Sequence, residues 1–218
     1  MLVQSEPLTV VLPQFLRWIH STKEEVARRT GFQYYPVLAA HRGLRFDVPI
    51  LLAEIERRPN KLTASALVEE NIHFADTLQC LKQAKKEGHP ALQDVQSLSL
   101  ANLHSHFAPE KPHQGHRALR DVEAMEDIFR NESVHNLLTS LSVQTATVTI
   151  QKWRKQRELR RKKRSLRDSL GQTITDSQAQ SLLKKGLGFS KLCRLRATFL
   201  VDDDFQKELQ RRKVGSQN

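Results

Sequence analysis

The sequence predicts an α/β domain that is followed by a long basic helix and a small helical module. Two short apolar runs, residues 36–40 and 72–75, are typical of buried strands, and segments with helical spacing lie before, between and after them. Lysine and arginine then dominate residues 152–167. These changes of pattern predict an α/β region at residues 1–140, a basic linker helix at 141–170 and a small helical module at 171–218.

The α/β region is predicted to begin with an amphipathic helix over residues 12–29. Apolar residues recur there at helical spacing, and Gly31 follows as a helix-ending residue. The run 36–40 carries no polar side chain, which predicts a strand that is buried on both faces. A second helix is predicted after Asp47, ending near Arg58.

The strand predicted at residues 72–75 is followed by Asp76 and Thr77, which can cap the next helix at residues 78–86. A further helix is predicted from His116 or just after it. Its apolar stripe, which we expect to be buried against the sheet, consists of Ala118, Leu119, Val122, Met125 and Phe129. Two evident strands are too few for a stable sheet, so we expect strands to be missing at the N-terminus.

The composition favours a soluble protein of a reducing compartment with a polyanionic partner. The net charge is +11, from 35 Lys and Arg against 24 Asp and Glu, and such an excess attracts nucleic acid at long range. The alternative is that the basic residues only keep the surface soluble. The two cysteines lack metal-ligand spacing, and the apolar stretches are too short to cross a bilayer, so neither a zinc site nor a membrane partner is expected.

Ten basic residues lie within residues 152–167, and Glu158 is the one acid among them. This charge predicts nuclear localisation, with the cytoplasm as a second location, or contact with phosphate; the alternative is a solvated helix between two modules. Beyond this segment, Thr175 and Gln178 have the spacing of a capping box, and Gly186 is a helix-ending residue. They predict a helical module that could also bind protein partners.

Asp47 follows the first predicted strand and opens a helix. This order places its carboxylate at the carboxyl edge of the sheet, where α/β folds bind ligands, and where it could bind a hard divalent cation. The alternative is that Asp47 only caps its helix. His116 and Asp121 form a second candidate, because a loop histidine and an acid in the first helical turns can face one site. There the histidine could deprotonate water and the acid could bind the metal, although an exposed loop histidine can also be incidental.

The two segments together resemble the DEDDh 3′→5′ exonucleases of the RNase H-like superfamily. The second motif of that family is matched by His41, Gly43, Arg45, Phe46, Asp47, Pro49, Leu51, Ala53 and Glu54. The third motif is matched by His116, Ala118, Leu119 and Asp121. Over residues 8–200 the chain is also similar to the exonuclease-like proteins of fish that are related to promyelocytic leukaemia protein, although specific motifs lie only in the first 130 residues.

The resemblance implies an incomplete RNase H-like exonuclease fold with a mixed sheet and flanking helices. It implies that Asp47 and Asp121 bind Mg²⁺ or Mn²⁺ in a two-metal site and that His116 is the general base. It further implies that the substrate, a nucleic acid with a single-stranded 3′ end, contacts the turn of His41, Arg42, Gly43 and Arg45. Arg42 stands where the family usually has Asn.

The first motif of the family, Asp-x-Glu on a strand, is absent from this sequence. Residues 1–40 contain only the acids Glu6, Glu24 and Glu25, and none has that context. We therefore expect little or no nuclease activity from this chain, because two carboxylates supply too few oxygen ligands. The alternatives are an enzyme completed by strands from elsewhere, and a non-catalytic nuclear protein that binds nucleic acid or serves as a protein scaffold.

Overall fold

The computed structural model describes residues 6–58, 63–111, 118–137, 142–170 and 174–198, together with Lys207. The chain divides into two compact units, which we call the N-terminal unit, Met1–Gln151, and the C-terminal unit, Lys152–Asn218. The N-terminal unit is mixed α/β and the described part of the C-terminal unit is helical, as the sequence predicts.

The sheet of the N-terminal unit has three described strands, β1 (Val37–Ala40), β2 (His73–Asp76) and β3 (Val143–Thr145). Their order is β1-β2-β3. β1 and β2 are parallel, with Leu38 opposite Phe74, whereas β3 is antiparallel to β2, with Gln144 opposite Phe74. The predicted mixed sheet is therefore present. β3 was not predicted, because three residues are too short for a recognisable alternation.

The prediction that both faces of the first strand are buried is wrong. Val37 is 43% exposed, and the other residues of β1 are half-buried. The reason is that β1 is the edge strand of the described sheet, whereas β2 lies between two neighbours. In β2, Phe74, Ala75 and Asp76 are all buried. Apolar composition alone did not distinguish the edge strand from the central strand.

The helices predicted before the first strand, after Asp47, after Asp76 and near residue 118 are present in the N-terminal unit, whereas two short helices, at residues 65–69 and 132–135, were not predicted. The described helices of the unit are α1 (Leu8–Thr30), α2 (Asp47–Glu56), α3 (Ser65–Glu69), α4 (Thr77–Lys86), α5 (Leu100–Phe107), α6 (Ala118–Arg130) and α7 (Glu132–His135). α1 begins four residues before its predicted start and ends at Gly31, which has a left-handed φ of 76° and donates its N–H to the Ala27 carbonyl. This confirms the predicted helix end.

The helical core of the N-terminal unit lies between α4, α5, α6 and α7. Its largest members are Leu81, Leu92, Leu103, Ile128 and Phe129. The predicted apolar stripe on α6 is only partly right, because Leu119 is 69% and Val122 is 58% exposed. The residues of α6 that are buried are Ala124, Ile128 and Phe129, which lie in its later turns. Contact with α5 and α7 there decides which side of α6 is buried.

The C-terminal unit contains α8 (Ala146–Ser169) from Lys152 onward, α9 (Asp176–Lys184) and α10 (Phe189–Thr198). A small core joins the three helices through Leu166, Ile174, Ala179, Leu182, Leu187 and Leu192. The predicted capping box is confirmed, since the Thr175 hydroxyl accepts from the Gln178 N–H and the Gln178 side chain accepts from the Thr175 N–H. Among the described helices, none combines the length and the apolar character that a membrane span requires.

Candidate functional site

The turn after β1 carries the residues of the second predicted motif. The Gly43 N–H donates to the Ala40 carbonyl at 3.1 Å, which closes the turn directly on the strand end. A Cβ at Gly43 would lie 2.7 Å from the Cβ of Ala40, a distance that real side chains do not reach. Arg42 has a φ of +64°, in the left-handed region that L-residues with long side chains rarely adopt. The turn thus requires glycine at position 43 and is strained at position 42.

Asp76 connects this turn to the neighbouring strand. Its Oδ1 accepts from the Arg42 N–H at 3.1 Å, from the Leu78 N–H at 3.1 Å and from the Gln79 N–H at 3.4 Å. The residue is only 5% exposed. The predicted cap of α4 is therefore confirmed, and the same carboxylate also joins the carboxyl ends of β1 and β2. An acid before a helix is a sequence signal for the cap, but no sequence signal indicates the link to Arg42.

His41 is engaged within the protein through both ring nitrogens. Nε2 lies 3.0 Å from the carbonyl oxygen of Leu98, and Nδ1 lies 3.3 Å from the hydroxyl of Thr77. A carbonyl can only accept, so Nε2 donates to the Leu98 oxygen. Burial lowers the pKa of His41, and the Leu98 hydrogen bond opposes this only in part. Here the histidine positions the turn against α4 and the segment before α5.

The two predicted metal-binding acids lie near this strand edge on different helices. Asp47 is exposed in the first turn of α2, and no side chain caps that helix. Asp121 is half-buried in the first turn of α6, one turn before Met125 and on the same side of the helix. The Met125 sulfur lies 3.8 Å from the Thr77 hydroxyl, which brings that side of α6 toward the carboxyl end of β2.

The predicted general base, His116, lies outside the described residues. Over the part of the chain that the structure describes, no three or more His, Cys, Asp or Glu side chains are grouped so that they could bind a metal ion. Magnesium and manganese need several oxygen ligands to offset the loss of hydration. The described side chains therefore do not fit a two-metal site. Arg42 and Arg45, from the predicted substrate-contacting turn, are both exposed at this edge.

A second group of titratable residues lies between α5 and α6. Asp127 accepts from Lys111 and is 3.3 Å from Nε2 of the buried His104. The Lys111 hydrogen bond is the main cause that lowers the pKa of Asp127, and His104 adds to it. These contacts join α6 to α5 and to the segment that follows α5. The cluster was not predicted, because its members come together only when the two helices pack.

An exposed, strongly basic surface lies on α8. We define the arginine stripe as Arg157, Arg160, Arg161 and Arg164, all of which are exposed. Steps of three, four and seven residues place them on one side of the helix over about 10 Å. Leu166, which belongs to the core of the C-terminal unit, lies on the opposite side of α8. The helix therefore packs through one side and presents arginines to solvent on the other.

Few acids neutralise this stripe. Glu158 forms an ion pair with Lys162, whose hydrogen bond lowers the pKa of the glutamate. Within the described part of the chain, no carboxylate forms an ion pair with Arg160, Arg161 or Arg164. Other basic residues of α8 bind α9 instead: Lys163 donates to Gln180 at 2.8 Å and Arg167 donates to Asp176 at 2.8 Å. Arg157 lies over the Trp153 ring, 5.4 Å from its centre.

Comparison with known proteins adds no assignment. No protein-family model matches the chain, and no curated protein is significantly similar to it.

Proposed function

We propose that this chain binds nucleic acid through the arginine stripe of α8, and that its N-terminal unit is an exonuclease-like domain with little or no nuclease activity of its own. The observation that carries the proposal is the stripe itself: four exposed arginines on one side of a helix whose opposite side packs into a core. Neighbouring like charges on a helix repel one another, and a polyanion relieves that repulsion.

Arginine is better suited to binding phosphate than a positive charge without its planar group of donors. Its guanidinium offers donors in a planar fork that matches two oxygens of one phosphate. Each phosphate contact releases condensed counterions, so the affinity must fall as salt is added. With about four contacts, we expect the affinity for duplex DNA to fall by roughly 100-fold between 50 and 200 mM salt.

The test is a salt titration of nucleic-acid binding by the whole chain, followed by fluorescence anisotropy. The triple variant Arg160→Gln, Arg161→Gln, Arg164→Gln should lose about three units of the slope of log affinity against log salt. The matched control changes three exposed basic residues elsewhere, Arg17→Gln, Arg28→Gln and Lys86→Gln. Both variants lose the same net charge, so equal effects would show that overall charge and not the stripe carries binding.

The exonuclease-like part of the proposal is supported by the position of two acids near one strand edge. Asp47 opens α2 after β1, and Asp121 lies on the side of α6 that approaches β2. We expect at most weak release of mononucleotides from a 3′-labelled single strand in Mg²⁺ or Mn²⁺. Strong release that Asp121→Asn abolishes would contradict the weak activity and establish a working enzyme. Strong release that survives Asp121→Asn would indicate a contaminating nuclease.

A protein-scaffold role is the second candidate, and the exposed Phe189 at the start of α10 favours it. An aromatic side chain that is 46% exposed on a small helical unit is a common anchor in protein interfaces. Nuclear localisation through the basic run of α8 belongs to the same proposal. Deleting residues 152–218 should then remove both nuclear accumulation and partner binding, and survival of both would exclude this role.

A further inference from the structure

The connection between α9 and α10 is a short, tightly hydrogen-bonded turn. After α9 ends at Lys184, Gly186 takes a left-handed φ of +70°. The Gly186 N–H donates to the Leu183 carbonyl at 3.0 Å, and the Leu187 N–H donates to the Leu182 carbonyl at 2.9 Å. This pair of bonds is a Schellman motif, and two of its three leucines, Leu182 and Leu187, are buried. Four residues, 185–188, therefore join the two helices.

Three helices enclose the small core of this unit. α8 supplies Leu166, α9 supplies Ala179 and Leu182, the turn supplies Leu187, and α10 supplies Leu192. The bonds from Lys163 to Gln180 and from Arg167 to Asp176 join α8 to α9. A helix, a four-residue turn with glycine and a second helix are also the elements of a helix-turn-helix module, and here α8 packs against both helices through the shared core.

The outward side of α10 carries donors and positive charge. Leu192 is buried, whereas Ser190, Lys191 and Arg194 are exposed. Ser190 and Arg194 lie one turn apart on the side opposite Leu192, and Lys191 lies beside them. The sequence of α10 contains no acidic residue. Serine, lysine and arginine are side chains that read base edges in the major groove, with arginine and lysine favouring guanine.

We propose that the C-terminal unit binds duplex DNA as a helix-turn-helix module, with α10 in the major groove. The proposal deepens the nucleic-acid binding proposed above and rests on it. B-form DNA has a major groove wide enough for a helix, whereas the major groove of duplex RNA is too narrow. Single strands are bound mainly by stacking of their bases on aromatic side chains. The described aromatic side chains of this unit are Trp153, which Arg157 already covers, and Phe189, so the unit is better suited to a duplex than to a single strand.

The first experiment compares three probes of matched sequence, a 20-base-pair DNA duplex, its single strand and the corresponding RNA duplex, with the whole chain at 150 mM salt. We expect the DNA duplex to bind at least tenfold more tightly than either other probe. The triple variant Ser190→Ala, Lys191→Gln, Arg194→Gln should lose at least tenfold in affinity for the DNA duplex and less than twofold for the single strand. The control Arg17→Gln, Arg28→Gln removes the same charge outside the unit.

A second measurement uses the unmodified chain, so that it does not depend on the variant folding. Methyl green, which occupies the major groove, should displace the chain from the DNA duplex, whereas netropsin, a minor-groove binder of the same charge sign, should not. The reverse pattern would overturn the proposal, as would equal or tighter binding of the single strand. If Phe189 instead anchors a protein partner, the Ser190, Lys191 and Arg194 changes would leave duplex binding unaltered, which also overturns it.

The outcomes separate the two proposals. In one outcome, the chain binds all three probes equally well, the binding depends on salt, and the arginine-stripe variant weakens it. That outcome would retain the proposed function and overturn the helix-turn-helix inference. Absence of salt-dependent binding to any probe would overturn both.

Discussion

The strand edge of the N-terminal unit and the arginine stripe of the C-terminal unit use polar side chains in opposite ways. At the strand edge, Asp76 and His41 form hydrogen bonds with other groups of the protein. The backbone N–H of Arg42 donates one of them, to Asp76. In the stripe, Arg160, Arg161 and Arg164 point to solvent without an ion pair to any described carboxylate. Polar residues in a predicted catalytic motif can therefore stabilise the fold, whereas the repeated charges of the stripe face solvent. Substitutions in the two regions should therefore change different observables.

Asp76→Ala should have the largest effect on stability. The substitution leaves three backbone N–H groups, those of Arg42, Leu78 and Gln79, without their acceptor. A buried donor without a partner costs roughly 1–3 kcal/mol, so we expect a loss of about 3 kcal/mol in the free energy of unfolding. Urea unfolding followed by circular dichroism measures it. Asp76→Asn keeps an acceptor and should lose less than half as much; an equal loss would show that charge, and not the hydrogen bonds, is what matters.

Gly43→Ala should have the next largest effect. The added methyl would lie 2.7 Å from the Cβ of Ala40, so the turn must move. Overpacking of this kind costs about 2 kcal/mol. Gly88→Ala is a useful comparison, because nothing lies within 4 Å of its Cβ position and only its φ of +79° opposes the change. We expect Gly88→Ala to cost about 1 kcal/mol in the same unfolding assay. A smaller loss at Gly43 than at Gly88 would contradict the tight packing of the turn.

His41 should make the N-terminal unit less stable in mild acid. Because burial lowers its pKa below the usual value of 6.5, the unfolded chain binds a proton more readily than the folded chain. The contribution of neutral His41 is complete above pH 6.5 and declines as the pH falls from there toward the lowered pKa. Unfolding measured between pH 8 and pH 5 should show this decline, and His41→Gln should reduce it. The exposed His106→Gln serves as the control and should leave the pH profile unchanged.

Arg42→Asn should stabilise the protein slightly. Arg42 has a φ of +64°, and asparagine adopts this left-handed conformation at lower cost than arginine. We expect a gain of about 0.5–1 kcal/mol in the free energy of unfolding. Affinity for nucleic acid should change less than in the arginine-stripe variant, which a salt titration would measure. A large loss of affinity would mean that the turn after β1, and not only α8, contacts phosphate.

The arginine-stripe variant should have the smallest effect on stability. Replacing Arg160, Arg161 and Arg164 by glutamine removes repulsion between exposed charges, so we expect a change of less than about 0.5 kcal/mol, in the stabilising direction. Its effect on nucleic-acid affinity should be the largest of these variants. A variant that loses stability and affinity together would show that the stripe is part of the fold, and the contrast between the two regions would fail.

Much of the fold could be predicted because its signals are local. Helix positions follow from the spacing of apolar residues, and the caps at Gly31, Asp76 and Thr175 follow from residues within three or four positions of the helix end. The errors concern burial. β1 is the edge of the described sheet, and Leu119 and Val122 are exposed on α6. The burial of a residue depends on which element packs against it, and the sequence of one helix or strand does not show which element that is.

The candidate site was predictable only as a location. The order of strand, turn and acid correctly places Asp47 at the strand edge, and the catalytic roles of Asp47, Asp121 and His116 stay predictions. The internal partners of His41 could not be predicted, because Thr77 and Leu98 lie 36 and 57 positions away along the chain. The same holds for the link between Arg42 and Asp76.

The longer helices, the caps at Gly31, Asp76 and Thr175 and the one-sided charge of residues 152–167 could be predicted from the sequence, since each depends on side chains within a few turns of one another. Only the folded chain shows that burial lowers the pKa of His41, that Asp76 joins two strand ends, and that the arginine stripe faces away from the core of its unit. The physical reason is that hydrogen-bond partners and burial are properties of groups distant in sequence, and only the packed chain brings them together.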